Sequence, residues 1–323
     1  MRRSLPLAVL AAAMLTSVAQ AAPDVVASIK PVHSLVAAVM EGVGEPRLLV
    51  TGNASPHTYS LRPSDAGALQ NADIVFWTGH GMELFLADAL DTLSIGATVV
   101  ELAHTPGVAL LPVREGGAFE AHSHGDEGHD HEHDHEHDHD HDHDHAHDHE
   151  HEGGDMHFWL DPQNAKAMVT VITETLSEAD PENAQAYAAN AERELAELDA
   201  LTAEIERAVA PVAQNPFVVF HDAYQYFENR FGLTVAGSVT VSPEVMPGAQ
   251  RITELKARVG ELGAACVFAE PQFEPTIISA ITEGTGARTG VLDPEGGLLT
   301  EGPDLYPELL RGLAASLVEC LGE

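Results

Sequence analysis

Positively charged side chains are scarce in this chain. Its 323 residues hold 15 Lys and Arg against 51 Asp and Glu, a formal net charge of -36. That scarcity argues against a nucleic-acid binder, because neutralising phosphates requires a basic surface. It suits a soluble protein that attracts cations. Cysteine is rarer still, with only Cys266 and Cys320. Neither has a Cys or His neighbour at ligand-like spacing, which argues against a thiolate metal site. No HExxH motif occurs outside the acidic repeat at 122–151, where alternating His, Glu and Asp match it only by repetition, so the signature of the helical zinc proteases is missing from the foldable sequence. Beyond the N-terminus no 18 consecutive apolar residues occur, too few for a helical membrane span.

Histidine is what the chain has in excess. Fourteen of its 20 histidines lie in one run: His122, His124, His129, His131, His133, His135, His137, His139, His141, His143, His145, His147, His149 and His151. Most alternate with Asp or Glu, and 15 acids fall between Glu120 and Asp155. Such a segment cannot bury an apolar core and is expected to stay disordered in water. It can present many imidazoles and carboxylates to a soft-to-borderline divalent metal. The plainer reading is a solvated acidic linker. A purification tag fits less well, because tags sit at termini and lack interleaved acids.

The N-terminus reads MRRSLPLAVLAAAMLTSVAQA, a basic start, a short apolar run and the small-x-small pattern Ala19-Gln20-Ala21. Residues 1–21 are therefore expected to be a cleavable secretory signal, and the mature chain a soluble periplasmic protein. In an oxidising compartment, two cysteines read first as a disulfide. Joining Cys266 to Cys320 would staple the C-terminal helix to a core strand, worth roughly 4 kcal/mol on the chain-entropy estimate. Two free buried thiols are the alternative.

Short apolar runs alternate with helical patterns along the rest. Strands are expected at 24–30, 47–52, 73–79 and 97–102, with helices between them. After an insertion spanning about 114–155, Asp161 and Pro162 give a helix start, as do Asp180 and Pro181. Apolar residues at Tyr187, Ala191, Leu195, Leu198, Leu201, Ile205 and Val209 mark one face of a long helix over 181–210. Strands follow at 217–220, 233–239, 265–270 and 287–293, again separated by helices. The pattern predicts an α/β fold of two similar lobes with mostly parallel sheets, 22–180 and 211–323, joined by the long helix. Ligand sites in such folds lie at strand C-terminal ends, in the crevice between lobes.

Six histidines lie outside the run: His33, His57, His80, His104, His157 and His221. His57 follows the second strand, His157 follows the insertion and His221 ends the strand FVVF. Converging from two lobes, these three imidazoles would form a tetrahedral metal site with one open position. Capping or core roles are the alternative for each. His33 is expected to cap a helix or lie at the surface, and His80 and His104 to be ordinary loop residues.

The segments SIKPVHSLVAAVM, GNASPHTYSLRPSD, DMHFWLDPQNA, VVFHDAYQYF and FAEPQF resemble the periplasmic zinc-binding protein of high-affinity zinc ABC importers, within the metal-specific cluster of substrate-binding proteins. The resemblance covers essentially the whole mature chain. It implies two α/β lobes joined by one long helix, Zn²⁺ as the bound ion, an ABC-type zinc permease as partner, a monomer and no enzymatic activity. A periplasmic metallochaperone is a further candidate partner. His57, His157 and His221 fall where the family's three zinc-binding histidines lie. Some relatives carry Glu just before the first histidine, where this chain has Pro56. By analogy with manganese-binding relatives, the fourth ligand is expected to be Asp293 or a water. Glu270 is expected to orient neighbouring groups. Three neutral imidazoles favour zinc over manganese. A zinc buffer working through the histidine run is the principal rival, with a zinc hydrolase and an adhesin behind it.

Overall fold

The computed structural model describes residues 22–114, 154–240, 248–273 and 276–322. The expected signal at 1–21 and every histidine of the run from His122 to His151 lie outside the described residues.

Four short parallel strands form the first sheet: β1 (Val25–Ala27), β2 (Arg47–Leu48), β3 (Ile74–Trp77) and β4 (Thr98–Glu101), in spatial order β2-β1-β3-β4. Helices α1 (Lys30–Met40), α2 (Pro63–Asn71) and α3 (Leu84–Leu93) make the crossovers. Helices α4 (Pro162–Ala179) and α5 (Ala184–Val209) follow. The second sheet holds β5 (Phe217–His221), β6 (Val235–Thr240), β7 (Cys266–Ala269) and β8 (Arg288–Val291), in order β6-β5-β7-β8 and again all parallel. Its helices are α6 (Gln225–Phe231), α7 (Ala249–Leu262), α8 (Thr276–Thr282) and α9 (Leu305–Leu321). The two sheets share one topology, and in each the strand order reverses beside the first strand, β1 or β5. That reversal opens a crevice at the strand ends.

Alternation along the strands sorts the core into layers. Val25, Ala27, Ile74 and Phe76 face one apolar cluster while Val26, Val75 and Trp77 face another with α2 and α3. In the second sheet Phe217, Val219, Cys266 and Phe268 face the first cluster, and Val218, Phe220 and Val267 face a third with α7 and α8. Period-two strands buried on both faces explain why the sequence shows short continuous apolar runs.

The central cluster runs unbroken from β1 and α1 through α4 and α5 to β5, β7 and α9. The long helix is therefore no isolated strut: α5 packs on α1 and α4 on one side and on α9 on the other. It is also shorter than expected. The Asp180 carboxylate accepts from Asn183 Nδ2 (2.7 Å) and from the Tyr187 hydroxyl (2.9 Å), holding 180–183 as a turn. Its 26 residues span about 39 Å at 1.5 Å per residue. Asp161 caps α4 as expected, accepting from the Gln163 N–H at 2.8 Å.

The loop after β8 is tied back to the first half. Lys30 Nζ donates to the carbonyls of Gly297 (2.8 Å) and Leu299 (3.1 Å). Trp159 Nε1 donates to Pro294 O at 2.9 Å, and the Ser34 hydroxyl to Pro303 O at 2.9 Å. The Cys266–Cys320 disulfide forms, with Cα atoms 6.2 Å apart, joining β7 to α9 as the sequence predicted. His33 departs from expectation. It is buried inside α1, and its Nε2 lies 3.0 Å from Pro46 O, so it fixes the connection from α1 to β2.

Candidate metal centre

Each of three histidines arrives by a different local route. His57 rides the turn-rich segment between β2 and α2. His157 immediately precedes a single 3₁₀ turn, Phe158–Leu160, that feeds α4. His221 is the last residue of β5. Their Nε2 atoms converge: His57 to His157 at 3.3 Å and His221 to His157 at 3.2 Å. All three ligand atoms lie within 4.8 Å of one another. Three Zn–N bonds of about 2.0–2.1 Å at tetrahedral angles would space the nitrogens about 3.3–3.4 Å apart. The imidazoles thus stand close to a coordination geometry with room for a fourth ligand.

The nitrogens facing away from the centre set ring orientation. His157 Nδ1 lies 2.8 Å from Asp155 Oδ1, which also accepts the His157 backbone N–H at 3.0 Å. His221 Nδ1 lies 2.7 Å from both oxygens of Glu270. Glu270 in turn accepts from the Tyr224 hydroxyl at 3.2 Å. A carboxylate on Nδ1 holds the proton there and leaves the Nε2 lone pair for a metal. Aromatic neighbours wall the centre: Trp159 beside His157, and Phe273 beside His221, itself stacked on Phe220.

Burial lowers His57 and His157 well below the ordinary histidine pKa, and the neighbouring imidazoles add to the shift. Both are neutral and ready to ligate at pH 7. Burial pulls His221 down as well, but the Glu270 carboxylate outweighs it and the net shift is upward. His221 therefore favours its protonated form more than the other two rings do.

Asp293 lies outside the three-histidine group. Its Oδ1 accepts from Gln272 Nε2 at 3.0 Å and from the Glu295 N–H at 3.1 Å. Glu270, read from sequence as an orienting group, is buried at 3% exposure against His221. The sequence reading missed Asp155, which does for His157 what Glu270 does for His221. It closes a run of 15 acids, and only its position two residues before His157 set it apart. His80 and His104 lie at strand ends of the first sheet, each within reach of Glu101. Among the described residues no helix is long and apolar enough to cross a membrane.

A family model described as ZnuA, zinc-uptake complex component A, periplasmic, matches residues 25–320. The high-affinity zinc uptake system protein ZnuA of Brucella suis biovar 1 (strain 1330) is 54% identical over 315 residues, 95% of this chain and 94% of that protein. Its counterpart from Paracoccus denitrificans (strain Pd 1222) is 43% identical over 318 residues, 97% of each chain. A solved crystal structure of ZnuA superposes with a TM-score of 0.72 at 25% identity, over 93% of this chain and 99% of its own. The periplasmic zinc-binding protein TroA from Treponema pallidum shares the fold, with a TM-score of 0.73 at 19% identity, over 93% of this chain and 99% of its own.

Proposed function

We infer the function from the premise that this chain belongs to the family of the periplasmic zinc-uptake complex component A, ZnuA. It is a zinc-binding protein that captures Zn²⁺ and delivers it to an ABC-type importer. In this reading His57, His157 and His221 hold the ion through Nε2, with the fourth position open to Asp293, once freed from Gln272, or to water. The convergence of three Nε2 atoms from both lobes, with neighbouring spacings of 3.2 and 3.3 Å, is the observation that carries it.

Neutral imidazoles suit zinc better than a harder ion such as manganese. The carboxylates of Asp155 and Glu270 add negative charge without occupying the coordination sphere. The ion is cargo, so no bond on it is made or broken beyond ligand exchange. Lobe movement is limited, because the lobes share one apolar core and the tied-back loop after β8. Release then proceeds through small displacements of the His57 segment, induced by the permease. The two lobes divide as 22–180 and 211–323, flanking the long helix. The chain acts as a monomer in the periplasm after removal of residues 1–21, and a periplasmic metallochaperone is a second route of zinc supply. The histidine run serves as an auxiliary binder of several weaker zinc ions.

Zinc-edge anomalous diffraction from crystals of the zinc-loaded chain tests the site. The expected result is one strong peak within about 2.1 Å of all three Nε2 atoms. A strong peak elsewhere, with none between these rings, would overturn the assignment.

A further inference from the structure

Outside the cleft, a second group of ligand-type side chains converges at the C-terminal ends of β3 and β4. Glu101 ends β4, His104 ends the single 3₁₀ turn after it, and His80 lies in the loop after β3. Glu101 Oε1 lies 3.2 Å from His80 Nδ1 and 3.5 Å from His104 Nδ1. Glu101 thus bridges the two imidazoles by a hydrogen bond and a longer contact. The three side chains do not yet share the close mutual spacing of the cleft histidines, so ring rotation must bring His80 and His104 together on an ion.

The carboxylate is placed rather than loose. Its Oε1 also accepts the His80 backbone N–H at 3.0 Å. Gly79 makes the approach feasible: its φ is +146°, and a Cβ there would lie 2.4 Å from that oxygen. The Trp77 ring packs edge-on against the His80 imidazole at 4.8 Å between centroids. His80 and Glu101, but not His104, also line an open pocket of about 360 Å³ with Trp77, Asp91 and Ile95, which gives water access to that side of the pair.

We propose that His80, Glu101 and His104 form a second, solvent-facing divalent-cation site on the first lobe. It takes a borderline ion such as zinc through two Nδ1 atoms and one carboxylate oxygen. The side chains of His80, His104 and Glu101 are 68%, 51% and 23% exposed. An ion therefore reaches them without passing through the cleft, and the imidazoles turn onto it by side-chain rotation alone. Exposure also keeps the site weaker and faster-exchanging than the buried centre, since the flexible rings lose rotamer freedom on binding. Met156 packs against Gly79 and Gly81 and directly precedes His157, so the backbone flanking His80 touches the residue before a cleft histidine.

Labelling with diethyl pyrocarbonate, read peptide by peptide by mass spectrometry, tests this on the full-length chain in buffers of defined free zinc. A metal on Nδ1 leaves the proton on Nε2, so neither nitrogen keeps a reactive lone pair. His80 and His104 should lose reactivity together, at one free-zinc concentration above that protecting His221. Glu101→Ala should raise that midpoint about tenfold or more, equivalent to about 1.4 kcal/mol, and leave the His221 midpoint in place. His104→Asn should raise the midpoint for His80 alike, leaving the carboxylate untouched. Unchanged labelling of His80 and His104 up to saturating zinc would overturn the proposal. So would protection of the two at unrelated concentrations, or midpoints indifferent to both substitutions. Protection of the His221 peptide reads the cleft separately, so the two sites stand or fall independently.

Discussion

Arg114 grips Asp222 from the opposite side of the cleft. Its Nε donates to Asp222 Oδ2 at 2.9 Å, while its terminal nitrogens donate to Glu228 at 2.8 and 2.7 Å. Asp222 directly follows the ligand-type His221, and Arg114 is the last described residue before the insertion. Neighbouring contacts point the same way. The Tyr226 hydroxyl accepts from the Leu111 N–H at 2.8 Å and donates to Asp155 O at 2.5 Å, and Gln225 Nε2 donates to Pro112 O at 2.9 Å. Both roots of the insertion are thus fastened to α6 and its approach, and through Asp155 and Asp222 to two of the three histidines.

Replacing Arg114 by Met should loosen this clamp. Asp222 and Glu228 are only 9% and 10% exposed in their side chains. Removing the guanidinium strands two nearly buried carboxylates, a loss of about 3 kcal/mol by comparison with other broken buried pairs. Calorimetry should show a lower Tm and stopped-flow chelation a faster zinc off-rate. Adding Asp222→Asn and Glu228→Gln should recover much of the Tm, whereas equal loss in all variants would show that packing of the Arg114 stem, not charge, holds the roots.

Asp155→Asn tests the carboxylate behind His157. The amide can present its N–H₂ to Nδ1, which favours the tautomer with the proton on the metal-facing nitrogen. Zinc affinity of the cleft should fall about 10–100-fold, the usual effect of losing such a partner. Competition with a chromogenic chelator measures it, and unaltered affinity would show that ring orientation is fixed by packing against Trp159 alone.

Much of this could be read from sequence because local rules and the fold agree. Pro162 after Asp161, the two-sided apolar strands and the face through Tyr187, Leu198 and Ile205 each gave their element, and the two cysteines gave their bridge. The parts that escaped depend on contacts distant in sequence. Nothing local shows that the core of one lobe continues into the other, or that Lys30 reaches the carbonyls of Gly297 and Leu299. His33 reads as a polar helix start, yet α1 is buried almost all round. His57, His157 and His221 were marked by strand-end placement and resemblance, but their spacing is purely tertiary. Asp155 hid among neighbours of its own kind.

Reducing the Cys266–Cys320 bridge should destabilise the second lobe. It closes a loop with a sequence separation of 54, for which the chain-entropy estimate gives roughly 4 kcal/mol. Cys266 is fully buried on β7 and Cys320 lies near the end of α9, so α9 loses its anchor at the end farthest from Tyr306. Thermal unfolding with and without reductant should show the loss in Tm. Thiol titration of denatured, unreduced protein should find almost no free thiol, and two titratable thiols would refute the bridge.

Glu194 gives a pH dependence that does not involve the metal. It is buried on α5, and burial together with Glu197 and Asp304 raises its pKa to about 7, against the opposing pull of Arg193. Between the ordinary carboxylate value and about 7, the folded chain keeps a proton that the unfolded chain has released. Stability from this residue is therefore full below that window and is lost as pH rises through it. Above about 7 the folded chain carries a poorly solvated carboxylate beside two others. Glu194→Gln removes that charge while keeping the shape, so it should stabilise the protein by about 1–3 kcal/mol at pH 8. At pH 4, where Glu194 is mostly protonated in both states, the substitution should change little. Chemical denaturation of both proteins across pH 4 to 8 measures the difference. A gain that is the same at every pH would show that the side chain acts through packing and not through its proton.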